Sequence, residues 1–410
     1  MLQPISAGHK SLADYTHVAG KPLISEIREL AAELEGLKVL HLSATAFGGG
    51  VSEILYTLVP LMNDVGVEAE WQVMLGREEF YNATKLLHNA LQGNPQGLTP
   101  EEWEVFDRYN EMNARELTDG WDVVIVHDPQ PAGILQHVPE KGNAWIWRCH
   151  IDLSTPNPDA VERLVPLVRN YHGAVFHRQE YVPQGMDGTP IHIVPPAIDP
   201  LSPKNMAFSP EDAAYVCDQF GIDVDRPLMC QVSRFDPWKD PMGVIDAYRK
   251  VNEEMPDVQL ALVGSMATDD PEGWDFFNQT MAYADGDPDI HILNNLNNVG
   301  AIEVNAFQSQ ADVVIQKSTR EGFGLTVSEA LWKARPFIGG DVGGIPLQVK
   351  DGETGYLVSS PEECAKRSLA ILREPDLGKR LGRAGKEHVR KNFLTPRLLR
   401  DWLRIFKENA

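Results

Sequence analysis

The sequence contains little cysteine, with four residues among 410, at positions 149, 217, 230 and 364. No two of them have the close spacing of a paired zinc-ligand motif or of a compact disulfide framework. We therefore expect free thiols, as in proteins of a reducing cytoplasm. This pattern argues against a metal site or a disulfide scaffold built from these cysteines.

Long apolar runs and positive charge are also scarce. No run approaches the roughly 20 residues that a membrane-spanning helix needs, and the first ten residues, M-L-Q-P-I-S-A-G-H-K, lack the apolar core of a signal peptide. The 59 acidic residues outnumber the 37 basic ones, for a net charge of −22. Such a surface repels nucleic acid and anionic membranes. We expect a cytoplasmic protein that binds neither, and any phosphate must enter a local basic pocket.

The sequence does contain a regular alternation of short β-type runs with helical patterns. This alternation is typical of parallel sheets with crossover helices, and the length exceeds that of one typical core. We predict an α/β protein with two doubly wound, Rossmann-like domains that face a central cleft. The predicted strands are 38–43, 68–74, 122–127, 144–150, 173–177 and 191–195, then 228–234, 258–264, 290–293, 312–316, 336–339 and 355–358.

A proline-rich segment, Val194–Pro203, separates the two series of strands. Four prolines in ten residues exclude a continuous helix or a central strand, so this segment is the expected linker. The predicted domains are 1–196, with an N-terminal extension 1–36 that carries a helix near 22–34, and 197–390. We expect residues 391–410 to form a C-terminal helix that packs back on the first domain.

The stretch E-G-F-G-L-T-V-S-E, from Glu321 to Glu329, carries the strongest functional signal. It follows a predicted strand and leads into a helix-like segment, 325–333. Its glycines, Gly322 and Gly324, permit a close backbone approach, and the amides at a helix start favour an anion such as phosphate. The two carboxylates can accept hydrogen bonds from sugar or ribose hydroxyls. The stretch therefore indicates a nucleotide-sugar site, with a plain strand–turn–helix connection and a solvated Glu321 as the structural alternative.

Arg234 and Lys239 follow the first predicted strand of the second domain, in V-S-R-F-D-P-W-K-D. Arginine offers a planar fork to phosphate oxygens, and lysine a compact charge. Strand ends are where folds of this type bind ligands. We therefore interpret this pair as the basic partner of a diphosphate, against the alternative of surface charges beside a turn.

In the first domain, F-G-G-G-V-S-E follows the first major strand and opens a helix. Gly49 and Gly50 suit a ligand that approaches a helix N-terminus, although a tight structural turn explains the glycines equally well. The segment does not supply the G-x-G-x-x-G fingerprint of dinucleotide binding, which argues against a nicotinamide dehydrogenase.

Asp128 and His150 follow two apolar strands, in V-H-D-P-Q-P and W-R-C-H-I-D. Because parallel strands end at the same edge of a sheet, both residues are candidates for binding a substrate hydroxyl. A purely structural histidine is the alternative. The acid pairs at Asp223–Asp225 and Asp285–Asp287 lie among turn residues and are interpreted as solvated turn acids rather than as metal ligands.

Taken together, F-G-G-G-V-S-E, V-H-D-P-Q-P, W-R-C-H-I-D-L-S, Q-V-S-R-F-D-P-W-K and S-T-R-E-G-F-G-L-T-V resemble the retaining GT-B enzymes of glycosyltransferase family 4. The resemblance extends from about Ser11 to Phe393 and is closest to the members that synthesise trehalose. It implies two Rossmann-like domains and transfer of glucose from a nucleoside-diphosphate glucose to free glucose. It also implies that no cofactor is required and that a metal is not essential.

The resemblance implies a role for each donor-site residue. Glu329 would hold the ribose hydroxyls, and Glu321 would contact the transferred glucose together with the amides of Gly322, Phe323 and Gly324. Leu325 and Thr326, at the helix start, would bind the diphosphate with Arg234 and Lys239. Residues 291–295 would lie near the base, where the sequence does not distinguish ADP-, UDP- and GDP-glucose.

The same resemblance places His150, Asp128 and the Gly49–Gly50 loop around the sugar. The implied catalytic set is Glu321, Arg234, Lys239 and His150. A retaining trehalose phosphorylase, which uses phosphate or glucose 1-phosphate, stays open as an alternative, as does a non-catalytic nucleotide-sugar sensor. A homodimer is also left open by the sequence.

Overall fold

The protein is described here from a computed structural model that covers residues 2–138, 143–266 and 271–409. Each predicted β-type run overlaps one of its strands. β1 falls outside those runs, because two residues are too short to show an alternating pattern. The strands, in chain order, are β1 (Gln3–Pro4), β2 (Lys38–Ser43), β3 (Glu68–Val73), β4 (Val123–His127), β5 (Ala144–Arg148), β6 (Gly173–Phe176), β7 (Ile191–Ile193), β8 (Leu228–Val232), β9 (Gln259–Gly264), β10 (Ile290–Asn294), β11 (Val313–Gln316), β12 (Phe337–Gly340) and β13 (Tyr356–Val358).

Three of the helices were predicted from the sequence. The predicted helix near 22–34 is α2, the segment after the glycine turn is α11, and the helix expected within 391–410 is α15, with Pro396 in its first turn. The helices, in chain order, are α1 (Thr16–Ala19), α2 (Lys21–Ala32), α3 (Gly50–Asp64), α4 (Glu78–Leu91), α5 (Pro100–Ala114), α6 (Pro158–Val168), α7 (Pro210–Gln219), α8 (Pro241–Glu254), α9 (Pro271–Ala284), α10 (Ala301–Gln310), α11 (Leu325–Trp332), α12 (Ile345–Gln348), α13 (Pro361–Arg373), α14 (Pro375–Asn392) and α15 (Thr395–Asn409).

The chain divides into two compact units. The first consists of Met1–Ala197 and Thr395–Ala410, and the second is Ile198–Leu394. Both changes of unit fall in short connections, one within the proline-rich segment and the other between α14 and α15.

The first unit is built on a seven-stranded sheet in the order β1-β3-β2-β4-β5-β6-β7. β1 pairs antiparallel with β3, and the other neighbours are parallel. The central strand β4 is buried along its whole length, as expected for a parallel sheet that is covered on both faces.

The second unit contains a six-stranded parallel sheet in the order β10-β9-β8-β11-β12-β13. Chain order reverses at β8 and β11, which are neighbours in the sheet. This is the topological switch point, where open α/β sheets bind ligands beyond the carboxyl ends of their strands.

Helix α15 belongs to the first unit, where it packs on α2 and α3. Its apolar face is fully buried at Leu399, Leu403 and Phe406. Two ion pairs fix its polar side to α2 and the residue that follows it: Arg404 with Glu26, and Lys407 with Glu33 at 2.7 Å. The apolar face of α15 is thus explained by burial against α2 and α3.

The four cysteines are buried and free, in agreement with the sequence prediction. Within the described ranges, none of the helices combines the length and apolarity needed to cross a membrane.

Candidate active site

In the second unit, the two strands at the switch point bring Lys239 and Glu321 together. Lys239 ends a short 3₁₀ turn, Pro237–Lys239, after β8, and Glu321 follows β11. Since β8 and β11 are parallel neighbours, their following loops emerge at the same edge of the sheet. Lys239 Nζ lies 2.7 Å from Glu321 Oε2, and the two side chains are 15% and 9% exposed.

The Glu321 carboxylate is held by further donors. Its Oε2 also accepts hydrogen bonds from Ser318 Oγ at 3.2 Å and from Gln316 Nε2 at 3.5 Å. A buried carboxylate is stable only when its lone pairs are satisfied in this way. The alternative of a solvated Glu321 is therefore wrong.

The glycine turn after Glu321 has a backbone that side chains would disturb. Gly324 caps α11 with a left-handed φ of 79°, a conformation that glycine adopts without steric cost. A Cβ on Gly344 would lie 2.7 Å from both the carbonyl oxygen of Gly322 and the Cα of Phe323. The turn and the loop after β12 are thus packed backbone against backbone.

Helix α11 begins directly after this turn with Leu325 and Thr326. The first amides of an α-helix have no acceptor within the helix and carry positive partial charge. On the carbonyl side of the turn, Gln348 Nε2 donates to Phe323 O at 2.6 Å. The arrangement presents a rigid helix start that is suited to an anion.

Glu329 lies further along α11 and is 2% exposed. Its Oε1 is 3.5 Å from Nζ of Lys204, a residue that follows the proline-rich segment. The neighbouring Lys333 is half-buried, and desolvation lowers the pKa of its ammonium group to about 7, although Glu329 acts in the opposite direction. Glu329 is thus a buried carboxylate with one ion-pair partner that the sequence did not suggest.

Arg234 has a different environment from Lys239. Its side chain is 60% exposed and forms an ion pair with Asp236 at 3.4 Å. The structure therefore brings Lys239, rather than Arg234, into contact with Glu321. Arg234 is thus an exposed side chain on the loop after β8.

The segment expected near the base follows the edge strand β10. His291 Nε2 lies 3.4 Å from Gln259 Oε1, and Asn295 forms two hydrogen bonds with the backbone of Met266. These side chains fix the local backbone. Their contacts do not discriminate between nucleotides.

In the first unit, Asp128 and His150 are in direct contact. They follow the parallel neighbours β4 and β5, and the backbone N–H of His150 donates to Asp128 Oδ1 at 2.7 Å. Asp128 has a φ of 66°, an uncommon conformation for a residue other than glycine. Burial raises the pKa of the Asp128 carboxyl to about 7, against the opposing effects of the His150 hydrogen bond and Arg148.

The glycine loop of the first unit is exposed. Gly48 has a left-handed φ of 78°, Gly49 is extended, and Gly50 begins α3. A Cβ on Gly49 would meet no atom within 4 Å. The structure therefore places Gly49 and Gly50 at an open helix start, and this geometry does not decide between the turn and the ligand interpretation.

Several polar residues around these positions were not predicted. Lys317 is 5% exposed and pairs with Asp240, which caps α8 in a left-handed conformation. Gln231 Nε2 donates to Lys239 O at 2.7 Å. These contacts fix the carbonyl group of Lys239 and the residue that follows it. Lys317 directly follows the predicted strand 312–316, and this position is the sequence signal that could have identified it.

The first unit holds a second unpredicted feature, a row of histidines. His41 and His127 lie in β2 and β4, His150 lies just after β5, and adjacent rings are joined by nitrogen–nitrogen contacts of 3.0 and 2.9 Å. The sequence carries a signal for this row, since a histidine lies within or just after three neighbouring strands.

Both acid pairs lie in turns, where Asp223, Asp225 and Asp285 are exposed and Asp287 is half-buried. Asp223 Oδ1 accepts the N–H of Asp225 at 3.0 Å, and Asp285 and Gly286 adopt left-handed φ values of 57° and 69°. In residues 2–138, 143–266 and 271–409, no group of three or more His, Cys, Asp or Glu is arranged to hold a metal ion.

Two family models match the chain. Residues 41–183 match "Trehalose synthase, N-terminal domain", and residues 217–388 match "Glycosyl transferases group 1". The first range lies in the first unit and the second range lies in the second unit.

Curated relatives match along the whole chain. The trehalose synthase of Rubrobacter xylanophilus is 56% identical over 99% of both chains, and that of Pyrococcus horikoshii is 46% identical over 98% of both. The trehalose phosphorylase of Pleurotus pulmonarius is more distant, at 28% identity over 85% of this chain and 54% of the relative.

A solved structure agrees on the fold. Trehalose-6-phosphate synthase, OtsA, aligns with a TM-score of 0.72 at 14% identity, over 91% of this chain and 99% of the other. The two parallel-sheet units are therefore those of a GT-B glycosyltransferase, as predicted. With the full-length similarity above, the chain belongs to the trehalose synthase family of glycosyltransferases.

Proposed function

We propose that this enzyme makes α,α-trehalose by transferring glucose from a nucleoside-diphosphate glucose to the anomeric hydroxyl of free glucose, with retention at the donor carbon. Family membership supports the formation of trehalose. The observation that carries the finer proposal is the buried ion pair of Lys239 and Glu321 beside the start of α11. It combines a cation for a leaving phosphate with a carboxylate for sugar hydroxyls.

The second unit holds the donor in this proposal. Glu329 accepts hydrogen bonds from the ribose hydroxyls, and Glu321 accepts them from the glucose, next to the amides of Gly322, Phe323 and Gly324. The amides of Leu325 and Thr326 bind the diphosphate together with Arg234 and Lys239. Positive partial charge at the helix start and two basic side chains suit this anion within a protein of net charge −22.

The first unit binds the glucosyl group and the acceptor through Asp128, His150 and the Gly49–Gly50 loop. Asp128 and His150 are held together by one hydrogen bond. A carboxyl group and an imidazole provide complementary partners for sugar hydroxyls.

The surroundings of Glu321 bear on how retention arises. Retaining glycosidases use one carboxylate as a nucleophile and a second as acid and base. Here three donors converge on Glu321 Oε2, which weakens its nucleophilicity. We therefore propose attack by the acceptor oxygen on the face that the diphosphate leaves, through an oxocarbenium-like transition state and without a covalent intermediate.

Atoms and charges balance in a single displacement. The bond from the anomeric carbon to the β-phosphate oxygen breaks, and a bond to the acceptor oxygen forms. The leaving phosphate takes the proton of the acceptor hydroxyl. Lys239, Arg234 and the amides of α11 stabilise the negative charge that builds on the diphosphate. The proposed chemistry uses these groups in place of a metal and needs no other cofactor, and it is reversible in principle.

One incubation series tests this function. The protein is mixed with glucose and either ADP-, UDP- or GDP-glucose, with and without inorganic phosphate, or glucose 1-phosphate alone, and the disaccharide is identified by chromatography and NMR. Trehalose formed without phosphate supports the proposal, and the same series identifies the preferred nucleotide.

The other outcomes distinguish the alternatives. Trehalose formed only from glucose 1-phosphate would identify a phosphorylase. Nucleotide-sugar binding without product would identify a sensor. The distant match to a trehalose phosphorylase is the observation that supports phosphorylase activity as the alternative.

A further inference from the structure

Three histidines of the first unit form a continuous hydrogen-bonded chain. Nδ1 of His41 lies 3.0 Å from Nε2 of His127, and Nδ1 of His127 lies 2.9 Å from Nε2 of His150. Adjacent rings are inclined by only 20° and 22°. At its inner end, Nε2 of His41 lies 3.4 Å from Sδ of Met62, on α3. At its outer end, Nδ1 of His150 has no hydrogen-bond partner among the described residues.

All three rings are neutral in this environment. His41 is fully buried and His127 is 2% exposed. Burial lowers the pKa of His41 to about 3 and the pKa values of His127 and His150 well below their ordinary range. The neighbouring Arg148 and His177 also disfavour a positive charge on the His150 ring. Each ring therefore carries one N–H and one lone pair.

Neutral rings in such a chain can satisfy both nitrogen–nitrogen contacts in only two ways. Either every ring is protonated at Nε2, so that all bonds point from His150 towards His41, or every ring is protonated at Nδ1 and all bonds point outward. If one ring had a different tautomer from its neighbours, a nitrogen–nitrogen contact would hold two lone pairs or two protons. The tautomer of His150 is thus linked to that of His41.

Met62 differentiates between these two directions. A thioether sulfur is an acceptor and has no proton to donate. The inward direction places the Nε2–H of His41 against Sδ, whereas the outward direction places a nitrogen lone pair against a sulfur lone pair. Met62 is fully buried, so no water replaces the missing donor. Trp402 of α15 packs edge-on against the His41 ring, with centroids 6.3 Å apart.

We propose that Met62, through His41 and His127, fixes His150 as the Nε2–H tautomer, so that its Nδ1 accepts a hydrogen bond from a sugar hydroxyl. The assignment of the sugar rests on the proposed function, whereas the assignment of the tautomer rests on the hydrogen-bond chain alone. His150 then orients a hydroxyl as a neutral acceptor and does not shuttle a proton. Met62, His41 and His127 are positioning residues, because they are buried behind His150.

The tautomers can be measured directly without substrate. In protein labelled with ¹⁵N-histidine, two-dimensional NMR through long-range couplings distinguishes Nδ1–H from Nε2–H rings, and the spectrum of His150→Asn assigns the His150 signals. We expect His41, His127 and His150 to be Nε2–H tautomers. An Nδ1–H tautomer at His150 in the parent protein overturns the proposal.

A single substitution tests the role of the sulfur. Met62→Leu conserves volume and removes the acceptor. With the bias removed, His150 should become a mixture of tautomers. Met186→Leu is the matched control, because Met186 is buried at 5% exposure in the same unit and its replacement makes the same chemical change elsewhere. A parent-like His150 in Met62→Leu, or an equal change in both variants, contradicts the proposal.

The kinetic consequence separates this inference from the proposed function. If half of the Met62→Leu molecules hold the wrong tautomer, the apparent affinity for the sugar that His150 contacts falls about twofold. The corresponding KM should rise by that factor with little change in kcat. The NMR result stands even if the reaction differs from the one proposed, and trehalose formation by the parent protein stands even if the tautomer assignment fails.

Discussion

Lys239 and Glu321 are 82 positions apart in sequence, yet their charged atoms lie 2.7 Å from each other at the switch point of the second sheet. Both side chains are largely buried, and their opposite charges compensate one another. In the proposed reaction, the lysine faces the leaving phosphate and the glutamate faces the glucose. The ion pair thus links recognition of the sugar to stabilisation of the charge that develops when the donor is cleaved.

Replacing Lys239 with alanine should reduce turnover strongly. Charge accumulates on the diphosphate mainly in the transition state, and loss of one such stabilising group costs roughly a hundredfold in rate, about 3 kcal/mol. Initial rates of trehalose formation at saturating substrates measure this effect. Arg234→Ala should act in the same direction, since its guanidinium is also assigned to the diphosphate.

Lys250→Ala is the matched control for Lys239→Ala. Lys250 lies in the same unit and forms an exposed ion pair with Glu362 at 3.3 Å, a type of contact that contributes little. Its turnover should remain close to that of the parent. Turnover near the parent value in both Lys239→Ala and Arg234→Ala would place the diphosphate elsewhere.

Substitutions of the two glutamates of the motif, Glu321 and Glu329, should differ in their effect on nucleotide affinity. Glu329→Gln should weaken binding of the free nucleoside diphosphate, because its assigned partner is the ribose. Glu321→Gln should leave that binding nearly unchanged and impair glucosyl transfer. Calorimetric titration of both variants with the nucleoside diphosphate tests this assignment, and an equal loss of affinity in the two would refute it.

The sequence predicted the fold because alternating strands and helices leave a strong periodic signal. It also predicted where Lys239 and Glu321 lie, because both follow strands of a parallel sheet and such strands end at one edge. The contact between Asp128 and His150 has the same origin. In each case, topology converts distant sequence positions into neighbours.

The partners of these residues were harder to predict. Lys204, which pairs with Glu329, lies after a proline-rich segment with no periodic pattern. His41 and Met62 lie within an apolar strand and an apolar helix, where the local pattern indicates only core. Their contact depends on how α3 packs against β2, and packing of side chains is not encoded in the spacing of one segment. β1 was missed because two residues give no pattern.

Chelation of divalent metals should leave most of the activity intact. The proposed charge stabilisation comes from Lys239, Arg234 and the amides of α11, and among the described residues no cluster of potential ligands could hold a metal. Assays after exhaustive treatment with EDTA, with and without added magnesium or manganese, measure this. Complete loss of activity with rescue by either ion would show that a metal takes part, with the Asp285–Asp287 turn as the first place to examine.

Asp128 should make the stability of the first unit depend on pH. Burial raises the pKa of its carboxyl from the ordinary 3.8 to about 7, so the folded chain holds this proton more tightly than the unfolded chain does. The resulting stabilisation is fully present below pH 3.8 and is lost as the pH rises to about 7. Asp128→Asn keeps an acceptor for the His150 N–H and should remove this loss.

We expect the difference in unfolding free energy between Asp128→Asn and the parent to change with pH rather than to stay constant. Relative to the parent, Asp128→Asn should gain unfolding free energy steadily as the pH rises from about 4 to about 7, because the variant has no proton to release. Urea unfolding at several pH values, followed by amide exchange in β4 and β5, reports on the first unit. Asp119→Asn, at an exposed position of the same unit, should follow the parent at every pH. If Asp128→Asn also runs parallel to the parent, the carboxyl is ionised throughout this range, and the hydrogen bond to His150 outweighs the effect of burial.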